Sequence, residues 1–162
     1  MYVRGRALTY MARGAFDAAA TLFTDVESML YGKVRNPLAA AAGGYVLVGR
    51  DVADEPQHWD SWLGNLRDWF GWMSDGSVLW AARRLRQAKT KGDLQHARDG
   101  LIEAYNRGVP LYTLGLSWLM DGLSEFPDDP ECAWRLEKAR QLSWCVDMRE
   151  PFVIIRLRGR PR

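Results

Sequence analysis

Cysteine and histidine are scarce, with two of each in 162 residues. Cys132 and Cys145 have no second thiol pair, and neither His58 nor His96 stands at ligand spacing to them. A structural zinc site takes about four ligands, so that reading fails, as does a disulfide-dense framework. The opening MYVRGRALTYMARG lacks an apolar secretory core. The expectation is a reducing, cytoplasmic setting with two free, buried thiols. Long apolar runs are missing too. The most apolar stretch, 37–48, covers twelve residues, short of the ~20 that cross a bilayer. Nor does one sign of charge dominate: 22 basic residues face 20 acidic ones, net +2, so no global field points to nucleic acid or an anionic membrane. There is no phosphate-cradling G-x-x-x-x-G-K-S/T loop and no G-x-G-x-x-G turn. No cofactor and no metal are implied.

Tryptophan, by contrast, is abundant. All eight lie between Trp59 and Trp144, and most are expected in the core, where an indole buries a large apolar area. Trp59, Trp62, Trp69 and Trp72 form one such cluster, with Trp72, between Gly71 and Gly76, the member expected outside. Apolar residues make up 48% and charged ones 26%, the composition of one globular domain rather than of a disordered chain. The charge that exists is uneven. Residues 149–162 hold five arginines and one acid. The expected organisation is a helical-repeat domain over 1–148, followed by an extended segment and basic tail over 149–162.

Apolar residues recur at three and four residue steps through most of the chain, the helical period. The spacing predicts helices over 4–12, 16–31, 37–49, 59–70, 77–91, 93–107, 111–125 and 130–145. Asn36-Pro37 caps the third of these, and Ser77 is expected to cap the fifth. Gly92-Asp93 is read as the turn and cap of the sixth. Gly43 and Gly44 inside a helix cost ~1 kcal/mol each unless another backbone packs closely there. Pairing neighbours yields four hairpins whose starts lie 33, 40 and 34 residues apart. The fold class expected is all-α, four stacked hairpins in a short irregular solenoid. After them Pro151-Phe-Val-Ile-Ile155 is β-branched and reads as extended, with 152–157 able to pair with another chain's sheet edge.

Two hairpins resemble tetratricopeptide repeats. Tyr10, Gly14, Phe16, Ala19 and Phe23 match that repeat's small and aromatic positions in the first hairpin. Gly92, Leu94, Ala97, Leu101 and Ala104 occupy the corresponding positions of the turn and second helix in the third. Leu85 departs from the pattern, the second hairpin has a long loop, and the fourth lacks the glycine-to-alanine spacing. The blocks NPLAAAAGGYVLVG, NLRDWFGWMSDG and RGVPLYTLGLSWLMDGL resemble a helical region of large bacterial multidomain proteins, some of which carry caspase-like or other peptidase modules. That resemblance implies a non-catalytic module serving a protease-type effector, and it carries over no catalytic residue.

In tetratricopeptide proteins the first helix of each repeat lines the ligand groove. The resemblance therefore turns one face of the third hairpin towards a partner: Trp80, Arg83, Arg84, Gln87 and Lys91. Five basic residues and no acid lie between 83 and 91, which suits an acidic peptide or a terminal carboxylate. The function expected is protein–protein recognition, as an adaptor or regulatory module rather than an enzyme. Two alternatives come from other classes. Arg156, Arg158, Arg160 and Arg162 surround the R-G-R-P core of an AT-hook, a minor-groove motif. With the 83–91 face they would make a nucleic-acid accessory protein. Cys145 with His58 or His96 would make a cysteine-dependent enzyme, although no nucleophile signature surrounds it. The acids Asp51, Asp54, Asp128 and Asp129 are read as helix caps.

Overall fold

Asn36 ends a turn and begins a helix: its Oδ1 accepts the Ala39 N–H at 3.0 Å, and Pro37 follows in the first turn. This is the capping expected of the Asn-Pro pair. The computed structural model describes residues 30–50 and 58–155. Among them run α1 (Pro37–Gly49), α2 (His58–Trp69), α3 (Ser74–Gln87), α4 (Lys91–Arg107), α5 (Thr113–Ser124) and α6 (Pro130–Ser143). The domain is all-α, built of helical hairpins, and none of the described helices is long and apolar enough to cross a membrane. Most of the first expected hairpin, the loop with Asp51 and Asp54, and the four tail arginines lie outside the described residues.

The hairpins α1–α2, α3–α4 and α5–α6 stack in chain order. The middle one packs most extensively, α3 touching α1, α2 and α5 while α4 touches α5 and α6. Helix α1 is buried from Ala40 through Val48. Gly44 explains how it fits: a Cβ there would lie 2.9 Å from Leu79 Cδ1 and 3.6 Å from Trp62. The close approach expected of the glycine pair is therefore present at Gly44. Helix α2 turns Trp59, Trp62, Leu63 and Leu66 inward, and Trp62 Nε1 donates to the Leu30 carbonyl at 2.9 Å.

Several local expectations are corrected. Trp69 shares the helical stripe but is 57% exposed, with the Lys33 ammonium 4.5 Å from its ring centre. Ser77 is not a cap. It lies buried in the second turn of α3, which starts at Ser74 with Met73 as N-cap. Gly76 does not break the chain; it lets α3 approach α2, since a Cβ would meet Arg67 Cα and the Leu66 carbonyl oxygen at 3.1 Å. Likewise Gly92 sits within the first turn of α4, capped by Thr90 in a reciprocal box with Asp93. Gly108, at φ +115°, lies past that helix's end. Asp129 does cap α6, accepting the N–H groups of Glu131 and Cys132.

The extended C-terminal segment pairs within the chain. Val153 N–H donates to the Leu111 carbonyl at 2.9 Å, and Thr113 N–H to that of Pro151 at 3.2 Å. Isolated antiparallel bridges join Tyr112 to Phe152 and Val146 to Ile155. Val153 packs on a small apolar cluster of Leu116, Ala139 and Val146.

Candidate functional site

Helix α3 presents two different faces to solvent. On the first, Trp80 is half-buried with its ring against α4; a Cβ at Gly100 would lie 2.8 Å from the ring's Cε3 and Cζ3. The Arg67 guanidinium stacks 4.4 Å from the centre of the same ring and that of Arg84 at 5.3 Å. Arg83 is tied down: its Nε bonds Asp60 at 2.7 Å, and its side chain is 11% exposed. Arg67 itself faces Asp68 and Glu103, and Glu103 also holds Arg107 at 2.6 Å. Gln87 is exposed at the end of α3, and Lys91 is exposed in the first turn of α4 rather than on α3. Of the five residues singled out in the sequence, Trp80, Arg83, Arg84 and Gln87 recur at helical spacing on α3, while Lys91 stands across the connection at the start of α4. Acids partly neutralise this set, and Arg84 and Lys91 are its cations without an ion pair among the described residues.

Arg86 points elsewhere, to the second face. It donates to the Val48 carbonyl and lies 4.8 Å over the Trp118 ring. Here α3, the start of α4 and the end of α5 enclose a groove of 520 Å³. Leu85, Leu94, Trp118 and Phe126 supply its apolar surface, and Asp121 and Glu125 its acidic edge. Leu94 is 41% exposed. Gly122 allows the groove to form, because a Cβ there would sit 2.7 Å from Leu101 Cδ2 and 3.3 Å from Leu85 Cδ1. Burial, and then the charge of Glu125, push the Asp121 carboxyl above its usual range. The sequence reading missed this groove. Its visible signal was two acids four residues apart at a helix end with no base beside them.

A family model described as the Y4kD C-terminal domain matches residues 6–153, a stretch that includes the six helices named among the described residues. The chain belongs to that family. No curated protein and no solved structure matches it.

In this Y4kD C-terminal domain the cysteines differ from the expectation of two buried thiols. Cys132 is buried and its thiol is pushed up by burial, whereas Cys145 is exposed in the turn after α6. His96 is exposed on α4. A buried polar centre that the sequence did not single out lies deeper. Asp75, fully enclosed on α3, accepts the Tyr45 O–H at 2.7 Å, the Leu111 N–H at 2.7 Å and the Tyr112 N–H at 3.3 Å. Burial raises its carboxyl above the usual value, and those three donors oppose the rise. The Tyr112 hydroxyl in turn donates to the Leu38 carbonyl at 2.8 Å. Each group has a structural partner, so this centre holds the hairpins together beneath the groove.

Proposed function

We propose that this Y4kD C-terminal domain is a non-catalytic protein-recognition module, an adaptor or regulatory part of the bacterial cytoplasm that serves a protease-type effector. The observation that supports the reading is the groove between α3 and α5. Concave sites with apolar walls and a few placed polar groups are where proteins take ligands, commonly at about 300–1,000 Å³, and this one measures 520 Å³. The Trp80 region supplies a second contact surface, with half-buried Arg84 and exposed Gln87 and Lys91 as its polar groups. The sequence resemblance to tetratricopeptide repeats supports the same reading, since that architecture presents such surfaces on a rigid frame.

The test is capture from host lysate with nuclease treatment, followed by mass spectrometry. Wild type is compared with Leu94→Gln in the groove and with Arg84→Glu plus Lys91→Glu on the Trp80 region. A protein partner lost with either variant, at unchanged helicity and melting, supports recognition and says which surface is used. Capture that survives in both variants, or no protein captured at all, overturns it.

Nucleic-acid binding is the second reading. It is favoured by Lys89, exposed in the connection from α3 to α4, and Lys91, exposed in the first turn of α4, neither with an ion pair among the described residues. It predicts affinity that falls steeply with salt, about one counterion released per phosphate contact. Deleting residues 156–162 should abolish that binding.

A further inference from the structure

The groove between α3 and α5 is electrostatically unfinished. Asp121 and Glu125 stand four residues apart, one helical turn, and like charges at that spacing repel. They also occupy the last turn of α5 and its C-cap, where the helix dipole already places partial negative charge and favours a cation. Helix α5 has no basic residue in that turn. Four of the described helices follow the rule, with Arg67 in the last turn of α2, Arg84 and Arg86 in that of α3, Arg107 in that of α4 and Arg140 in that of α6, while α1, like α5, has no base there. Neither Asp121 nor Glu125 forms an ion pair among the described residues. Arg86, the cation that lines the groove, is engaged by the Val48 carbonyl on α1 and by the Trp118 ring.

Immediately beside these acids is apolar surface left open to water, with Leu94 and part of Trp118 and Phe126 on it. A ligand that answered only the acids would leave that surface wet, and a purely apolar one would leave the carboxylates facing each other. Resting on the recognition reading above, we propose that this groove takes a peptide segment carrying an apolar side chain beside lysine or arginine. The apolar side chain lies against Leu85, Leu94 and Phe126. The cation lies at the end of α5 between Asp121 and Glu125, where it meets two carboxylates and the negative end of the helix. The segment's chemistry is opposite in sign to the acidic ligand that suits Arg84 and Lys91, so the two faces of α3 select different partners.

The experiment uses the full chain and three short fluorescent peptides with the same central Leu and Phe, flanked by lysines, serines or glutamates. Binding is read by anisotropy. The lysine-flanked peptide should bind about tenfold more tightly than the glutamate-flanked one, and the gap should narrow as salt rises. Asp121→Asn with Glu125→Gln should level the three affinities, Asp121→Lys with Glu125→Lys should reverse their order, and Leu94→Gln should weaken them all. Equal affinities, preference for glutamate, a ranking that survives charge reversal, or no binding by any peptide overturns the proposal. Failure here is distinct from failure of the recognition reading. If the glutamate peptide wins and Leu94→Gln abolishes it, the groove still recognises protein and only the charge assignment falls. If no peptide binds, the lysate capture lost or kept by Leu94→Gln decides the broader reading.

Discussion

The phenol of Tyr45 on α1 donates a 2.7 Å hydrogen bond to the enclosed carboxyl of Asp75 on α3. Asp75 also accepts two backbone N–H groups from the segment between α4 and α5. A buried acceptor removed from three donors leaves each of them short of a partner, which is dearer than the loss of the bonds themselves. Asp75→Ala should therefore destabilise by ~3 kcal/mol or more, and Tyr45→Phe by about 1–2 kcal/mol. Urea denaturation followed by circular dichroism measures both. A loss under 1 kcal/mol for Asp75→Ala would show that the carboxyl holds nothing.

Two acids should give stability opposite slopes with pH. The folded value of Asp75 is raised above the ordinary 3.8, so the folded state holds that proton more tightly than the unfolded one. Its contribution is full below the unfolded value and is lost as pH rises through the folded one. Asp129 behaves the other way. The Arg98 guanidinium, bonded at 2.5 Å, and the Cys132 N–H pull it down to about 2. Its contribution is present above 3.8 and is lost as pH falls towards 2. The stability gap between wild type and Asp75→Asn should shrink as pH rises above 4, and that between wild type and Asp129→Asn should shrink as pH falls below 4. Gaps that stay level across these ranges contradict the assignments.

Glycines at two helical positions should respond with opposite signs to alanine. A Cβ at Gly115 would press on the Tyr45 hydroxyl and lie 2.8 Å from Asp75 Oδ1 and 2.9 Å from Pro110 Cβ. Gly115→Ala should destabilise by about 1–3 kcal/mol through overpacking. Gly64, on α2, has nothing within 4 Å of that position. Gly64→Ala should stabilise by about 0.5–1 kcal/mol through helix propensity. Melting temperatures that move in the same direction would refute the contrast.

The thiols should label one at a time. Cys145 is exposed, while Cys132, in the first turn of α6, is buried and its thiol raised by that burial. A thiol reagent should modify one cysteine per folded chain at once and the second only on unfolding. Rapid modification of both, or of neither, is the contrary result.

The helices were legible wherever capping and periodicity agreed, as at Asn36-Pro37 and Asp129-Pro130. They were misread where a glycine had two possible meanings. Gly76 reads as a breaker in a string, but it serves close packing on the Arg67 backbone, and α3 starts at Ser74. Trp69 follows the apolar period, yet at the end of α2 it is left 57% exposed, with Lys33 over its ring among the described residues. Trp80, Arg83, Arg84 and Gln87 were legible together because they lie within one helix, whereas Lys91 belongs to the next. The groove was not: Leu85, Leu94 and Trp118 come from three helices, and only tertiary packing brings them to one wall. Asp75 escaped for the same reason, since its partners lie 30, 36 and 37 residues away.

In an ideal array of repeats each unit touches its immediate neighbours, so the array can fray one unit at a time from an end. The bonds of Tyr112 break that rule. Its hydroxyl reaches past the middle hairpin to the Leu38 carbonyl, and the Tyr45 ring meets the Tyr112 and Trp118 rings at 5.6 and 5.3 Å. The first and third described hairpins are thus joined directly. Peeling one from the stack severs contacts to both others, so these three hairpins form a single cooperative unit rather than a ladder with removable rungs.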